Sequence, residues 1–199
     1  MSQRALDKLK ERFGDAVLET SSFRGDETAV VDASRWKEIA LLLRNDPQMS
    51  FDLLVDLCGA DYPDRTPRLE VVVHLYSLGK RHRLRLKARV GDEDAAGAEI
   101  DTLTDVWSGA NWFERETFDM YGVKFKGHPD LRRILLYPEF EGHPLLKSYP
   151  AQKTQPLVPY RTEEEAGVPV EKLAPFGSDE GMPFGRKAWT GDTSQEDEA

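Results

Sequence analysis

The sequence predicts an α+β fold: a mostly antiparallel or mixed sheet with helices packed on one side, plus an extended C-terminal tail. Segments at residues 51–59, 68–79 and 81–90 alternate apolar and polar side chains at period two, as strands with one packed and one open face do. They follow a segment, residues 34–45, whose apolar residues recur at helical spacing. Near the end, Pro156, Pro159, Pro169, Pro175 and Pro183 come too close together for long regular elements.

Residues 3–13 form a charged amphipathic helix in this reading. Ala16 to Phe23 and Glu27 to Val31 read as short strands joined by a turn at Arg24-Gly25-Asp26. Asp32 or Ser34 caps the next helix, where Trp36, Ile39, Ala40 and Leu43 share one face. Asn45-Asp46-Pro47 ends it. In FDLLVDLCG the alternation places Phe51, Leu53, Val55 and Leu57 on one face and Asp52 and Asp56 on the other. Leu69, Val71, Val73 and Leu75 form the packed face of the next strand. Leu84, Leu86, Ala88 and Val90 then alternate with Arg83, Arg85, Lys87 and Arg89. That basic face reads as a solvated surface or a charge-protected edge strand. The sharper reading is a docking stripe for an acidic partner. An acidic loop follows at Gly91 to Gly97, and Gly122 is a good C-cap ahead of a short strand, VKF.

The 199 residues suffice for one packed domain, expected over 1–152, and a tail over 153–199. The net charge of −9 argues against nucleic acid as a partner, because phosphate binding rests on clustered Lys and Arg. No apolar run approaches the roughly 20 residues of a membrane span, and the first residues do not resemble a signal peptide. Cys58 is the only cysteine, so an internal disulfide is excluded. So is an iron–sulfur cluster held by this chain alone, which takes about four cysteines. Cys58 itself reads as a small core filler. From Lys153 onward there are ten acids and five basic residues. Leu157, Tyr160, Val170, Leu173, Phe176, Phe184 and Trp189 stud this segment, whereas disordered linkers normally lack aromatics. An extended segment with apolar anchors points to partner binding.

Catalytic signatures are sparse. GxxxxGK[ST], GxGxxG and GxSxG are all missing. His128 and His143 each sit in Gly-His-Pro, which reads better as a turn than as a metal site. The densest cluster of charge among apolar residues is NWFERETFDMYG, residues 111–122. As a helix it sets Glu116 beside Trp112 and Met120, so a buried Glu116 needs a cationic partner, and Arg132 and Arg133 are the suppliers. Arg115 and Asp119 stand at i and i+4, where they can pair. An acid/base site at Glu114 and Glu116 is the alternative, and with His128 it makes a self-contained hydrolase. Residues two apart on a helix point about 200° apart, which disfavours it.

The run WSGANWFERETFDMYGVKFKGHPDLRRIL resembles the signature region of a peripheral-arm subunit of respiratory complex I, the proton-pumping NADH:quinone oxidoreductase. That family is the 30-kilodalton subunit, which bacteria number as the C subunit. The signature positions fall on Glu114, Arg115, Glu116, Asp119, Met120, Tyr121, His128 and Arg132, without a gap. EGHPLLKSYP and FDLLVDLCGADY continue the likeness. The family usually has Arg and Asp where this chain has Leu146 and Ser148. The resemblance implies an α+β subunit of the peripheral arm, with its C-terminal tail wrapped on partners. It implies no flavin, cluster or quinone pocket in this chain, and FMN and Fe–S clusters in partner subunits. It also implies packing against the 49-kilodalton subunit (the bacterial D subunit). It implies a peripheral position on the cytoplasmic face of the bacterial cell membrane. Glu114, Arg115, Glu116, Asp119, His128, Arg132 and Arg133 become structural or interface candidates. A related membrane-bound hydrogenase complex would use an equivalent subunit.

Overall fold

A computed structural model describes residues 2–156. The tail expected over 153–199 therefore lies outside the described residues, apart from its first four. Helix α1 (Ser2–Phe13) leads through a short 3-10 turn into the hairpin β1 (Val17–Phe23) and β2 (Asp26–Val31). The hairpin turn at Arg24-Gly25 has both residues at positive φ. Asp32 accepts a hydrogen bond from Ser34 N–H at 2.8 Å and caps a 3-10 turn that opens into helix α2 (Trp36–Asn45). Strands β3 (Leu53–Asp61), β4 (Leu69–Ser77) and β5 (His82–Val90) follow as an antiparallel meander.

The sheet order is β1-β2-β5-β4-β3, and β2 runs parallel to β5. The sheet is thus mixed, and β5 is an interior strand with neighbours on both sides. The edge-strand explanation of its basic face is corrected on this point. A second, two-stranded parallel sheet joins β6 (Glu99–Asp101) to β7 (Lys124–Lys126), which flank helix α3 (Ala110–Tyr121).

The core fills one face of the large sheet. Leu57, Leu69, Val71, Val73, Leu75, Leu84, Leu86 and Ala88 meet Leu6 and Leu9 of α1 and Trp36, Ile39 and Leu43 of α2. Fully burying each large side chain contributes about 1.5–3 kcal/mol. Gly59 lies on this packed face where α3 crosses β3. A Cβ there would stand 2.6 Å from Tyr121 Cδ2, so the crossing depends on a missing side chain.

The alternation read in FDLLVDLCG is corrected. Leu54 and Leu57 are buried, while Leu53 and Val55 are 41% and 51% exposed. The register of β3 on β4 shifts between Leu54 and Asp56, leaving Val55 as an extra residue. This β-bulge turns a three-residue spacing into the same facing. Phe51 is buried but precedes the strand, and its carbonyl accepts a hydrogen bond from Trp107 Nε1–H at 3.0 Å.

Candidate functional site

Helix α3 displays the signature acids at two depths. Glu114 is fully buried. Thr102 Oγ1–H donates to its Oε2 at 2.5 Å and Leu103 N–H to its Oε1 at 2.6 Å. It makes no ion pair among the described residues. Burial pushes its pKa up to about 7, against the pull of those two hydrogen bonds. Glu116, which the sequence pattern buries, is exposed and forms no ion pair with Arg132 or Arg133 among the described residues. The reason lies in Trp112: it is 70% exposed, so the Trp112–Glu116 ridge faces outward, and Glu114 and Thr117 face the core.

Asp119 is the hub of the site. It is fully buried, and Arg133 Nη1 donates to its Oδ1 at 2.6 Å. Its Oδ2 accepts three successive backbone N–H groups, from Ile134, Leu135 and Leu136, at 3.2, 2.9 and 2.9 Å. Burial alone would raise its pKa. The hydrogen bonds from Leu136, Arg133, Leu135 and Ile134 outweigh burial and hold it below the usual carboxylate range. The expected Arg115–Asp119 pair does not form. Arg115 Nε–H and Nη2–H instead donate to the carbonyls of Arg132 and Arg133 at 3.1 and 3.2 Å. Arg132 is 73% exposed at its side chain and, among the described residues, pairs only with Asp130 at the surface. Neither arginine takes the role expected of it, a pair with Glu116; Arg133 serves Asp119 instead, and its Nη2–H also donates to Gly142 O at 2.9 Å.

The two histidines do more than shape turns. His128 accepts Asp130 N–H at Nδ1 (3.0 Å), so its proton sits on Nε2 and donates to Asn111 O (3.2 Å) near the start of α3. At the other end, the last carbonyls of α3 are met one by one. Gly122 N–H donates to Phe118 O (2.8 Å), His143 Nδ1–H to Asp119 O (2.9 Å) and Leu145 N–H to Met120 O (3.1 Å). Gly122 has φ 81°, and its bare Cα lets the His143 ring approach.

A third buried acid lies outside the run at 107–135. Asp61, at the end of β3, holds Arg68 bidentately at 2.6 and 2.8 Å and accepts Lys147 N–H at 2.6 Å. The Arg68 guanidinium, helped by the Lys147 amide, keeps its carboxyl below the usual range despite burial. Residues 128–149, which contain no helix or strand, are thus pinned to the domain by Asp61, Asp119, Arg115 and His143. The only forewarning is an acid beside an apolar strand, in GADY.

As chemistry, the arrangement spends its charges internally. Glu114 and Glu116 do not share a solvent-facing site, and His128 is committed to α3 and its own loop. Burial, then Asp56, raises the pKa of the half-buried Cys58 thiol. Among the described residues no cluster of three or more His, Cys, Asp or Glu could hold a metal. No described helix is long and apolar enough to cross a membrane.

Residues 29–155 match the family described as the respiratory-chain NADH dehydrogenase, 30 Kd subunit. The chain belongs to that family. It is 42% identical over 175 residues to the NADH-quinone oxidoreductase C 2 subunit of Rhizobium etli, covering 88% of this chain and 83% of the relative. It is 46% identical over 145 residues to the C subunit of the same oxidoreductase in Roseiflexus castenholzii, covering 73% and 82%. It is 44% identical over 152 residues to the Geobacter sulfurreducens C subunit, covering 76% and 91%. Among solved structures, a chain of the membrane-bound sulfane sulfur reductase, an archaeal respiratory membrane complex, shares the fold. There the TM-score is 0.64 at 21% identity, covering 76% of this chain and 86% of that one. Helix α3 and residues 128–132, the run that resembles the family's signature, lie within the matched residues.

Proposed function

We propose that the chain is a structural and assembly subunit of the peripheral arm of a proton-pumping NADH:quinone oxidoreductase. In this reading it serves electron transfer from NADH, through FMN and Fe–S clusters carried by partner subunits, to quinone only by building the assembly. The carrying observation is that Glu114, Asp119 and Arg133 are consumed in fixing α3 and the 128–149 segment, while Trp112, Leu135 and Leu145 stay 70%, 62% and 47% exposed. A surface fixed by one buried ion pair and buried hydrogen bonds, and bearing large exposed apolar groups, suits a partner. The exposed Glu116 and Arg132 are interface candidates. Glu114, Arg115, Asp119, His128 and Arg133 are structural ones. The 49-kilodalton subunit is the proposed neighbour, on the cytoplasmic face of the membrane, and the tail from 153 onward is a second partner-binding segment. The NADH-quinone oxidoreductase relatives, at 42% and 46% identity, favour this complex over a hydrogenase.

The test uses Asp119→Ala and Arg133→Ala in the full chain, with assembled complex and NADH:quinone turnover measured in membranes. Each variant should lower the amount of assembled complex and leave turnover per assembled complex unchanged. Normal assembly with slow turnover would sink the structural reading.

A further inference from the structure

The open face of the five-stranded sheet carries the basic residues of β5, and the structure divides them into two pairs. Lys87 Nζ lies 2.6 Å from Glu70 Oε1, and Arg89 Nη2 lies 2.9 Å from Glu19 Oε2. These two cations neutralise acids of their own face. Arg83 and Arg85 form no ion pair among the described residues. Arg85 donates one N–H to the Thr28 hydroxyl at 3.3 Å, and Arg83 sits 5.8 Å above the Tyr76 ring. Each guanidinium keeps further N–H donors to offer.

These arginines border a hollow of about 530 Å³ on the open face. Its β3 side carries Val55, the bulge residue, which is 51% exposed, and its β4 side carries Tyr76. A lone exposed apolar residue is ordinary. An exposed Val55 and the Tyr76 ring, beside two guanidiniums that form no ion pair among the described residues, make one concave recognition surface. Shortage of acids is not the reason the arginines are uncommitted, since the chain has 36 acidic and 27 basic side chains. Asp26 on β2 and Asp56 on β3 stand at the flanks of the hollow and pair with neither arginine. They confine an incoming carboxylate to the middle strands.

We propose that this hollow docks an acidic segment of a neighbouring subunit, with an Asp or Glu carboxylate seated between Arg83 and Arg85 and an apolar residue against Val55. The proposal rests on the chain being part of the complex, as argued above. Guanidinium forks match carboxylates in plane and spacing, so two of them give register as well as attraction.

The experiment uses the full chain inside the complex purified from membranes. A photo-cross-linking residue at Val55 should join to a peptide of another subunit that carries Asp or Glu near the cross-link. Recovery of an Arg83→Gln/Arg85→Gln chain with the complex should fall about tenfold at ~0.15 M salt. The isolated variant should unfold at the wild-type urea midpoint. A cross-link to the chain's own residues 157–199, to a peptide without acids, or to nothing overturns the proposal, as does undiminished recovery. Should the wild-type chain itself fail to co-purify with NADH:quinone oxidoreductase activity, the functional reading falls and takes this surface with it.

Discussion

Glu114 and Asp119 are five residues apart on one helix, both fully buried, and electrostatically opposite. Asp119 is ringed by donors and an arginine, and it stays ionised. Burial raises the pKa of Glu114 against its two neutral donors, and of the charges that act on it Asp105 raises the pKa further and Lys37 lowers it. Lys37 is already paired with Asp105 at 2.6 Å. With a folded pKa of about 7 against an ordinary 4.5, Glu114 favours the folded state fully below pH 4.5 and loses that contribution as pH rises through 7. The full difference is about 3 kcal/mol at the alkaline end. Urea midpoints of the wild type should therefore fall between pH 5 and 8, and Glu114→Gln should flatten that slope. Parallel curves for the two proteins would show that the carboxyl does not titrate in this window.

Helix α3 ends because three carbonyls are answered from outside it, by Gly122, His143 and Leu145. Gly122→Ala must take a left-handed backbone and push a Cβ to 2.8 Å from His143 Cδ2. It should cost about 2–3 kcal/mol, the sum of left-handed strain and a lost hydrogen bond. In a His143→Ala background the same change should cost only the strain. Thermal unfolding of the four-protein cycle checks this, and additive costs would rule out the ring contact. The elements themselves were legible because their signals are local: period two in β4 and β5, helical spacing in α2, a glycine after α3. Orientation of α3 was not. Aromatics surround that helix, so an outward Trp112 cannot be told from an inward one without knowing what packs there. The β3 bulge was hidden because apolar residues crowd the start of that strand, and either register buries something. Asp61 and Asp119 owe their partners to Lys147 and to Ile134–Leu136, and such pairing has no sequence period.

The domain closes at its own last contacts. Lys153 pairs with Glu141 at 3.2 Å, and Gln155 bonds both backbone groups of Glu141. A chain ended after Pro156 should keep the full-length unfolding free energy, read from urea titration, within about 0.5 kcal/mol and lose co-purification with the complex. An unfolding free energy lower by more than about 1 kcal/mol would mean that later residues stabilise the domain itself. The mixed sheet imposes an order of events as well. Its parallel β2–β5 pairing spans two other strands in sequence, and the Lys147 amide meets Asp61 across 86 residues of chain. Contacts that distant close late, because loop entropy must be met before they reward it. The 128–149 segment has no ladder of its own to hold it meanwhile. We expect a newly made chain to pass through a stage with α3 formed and this segment still loose. That stage is where a protease or a chaperone would find the unassembled subunit.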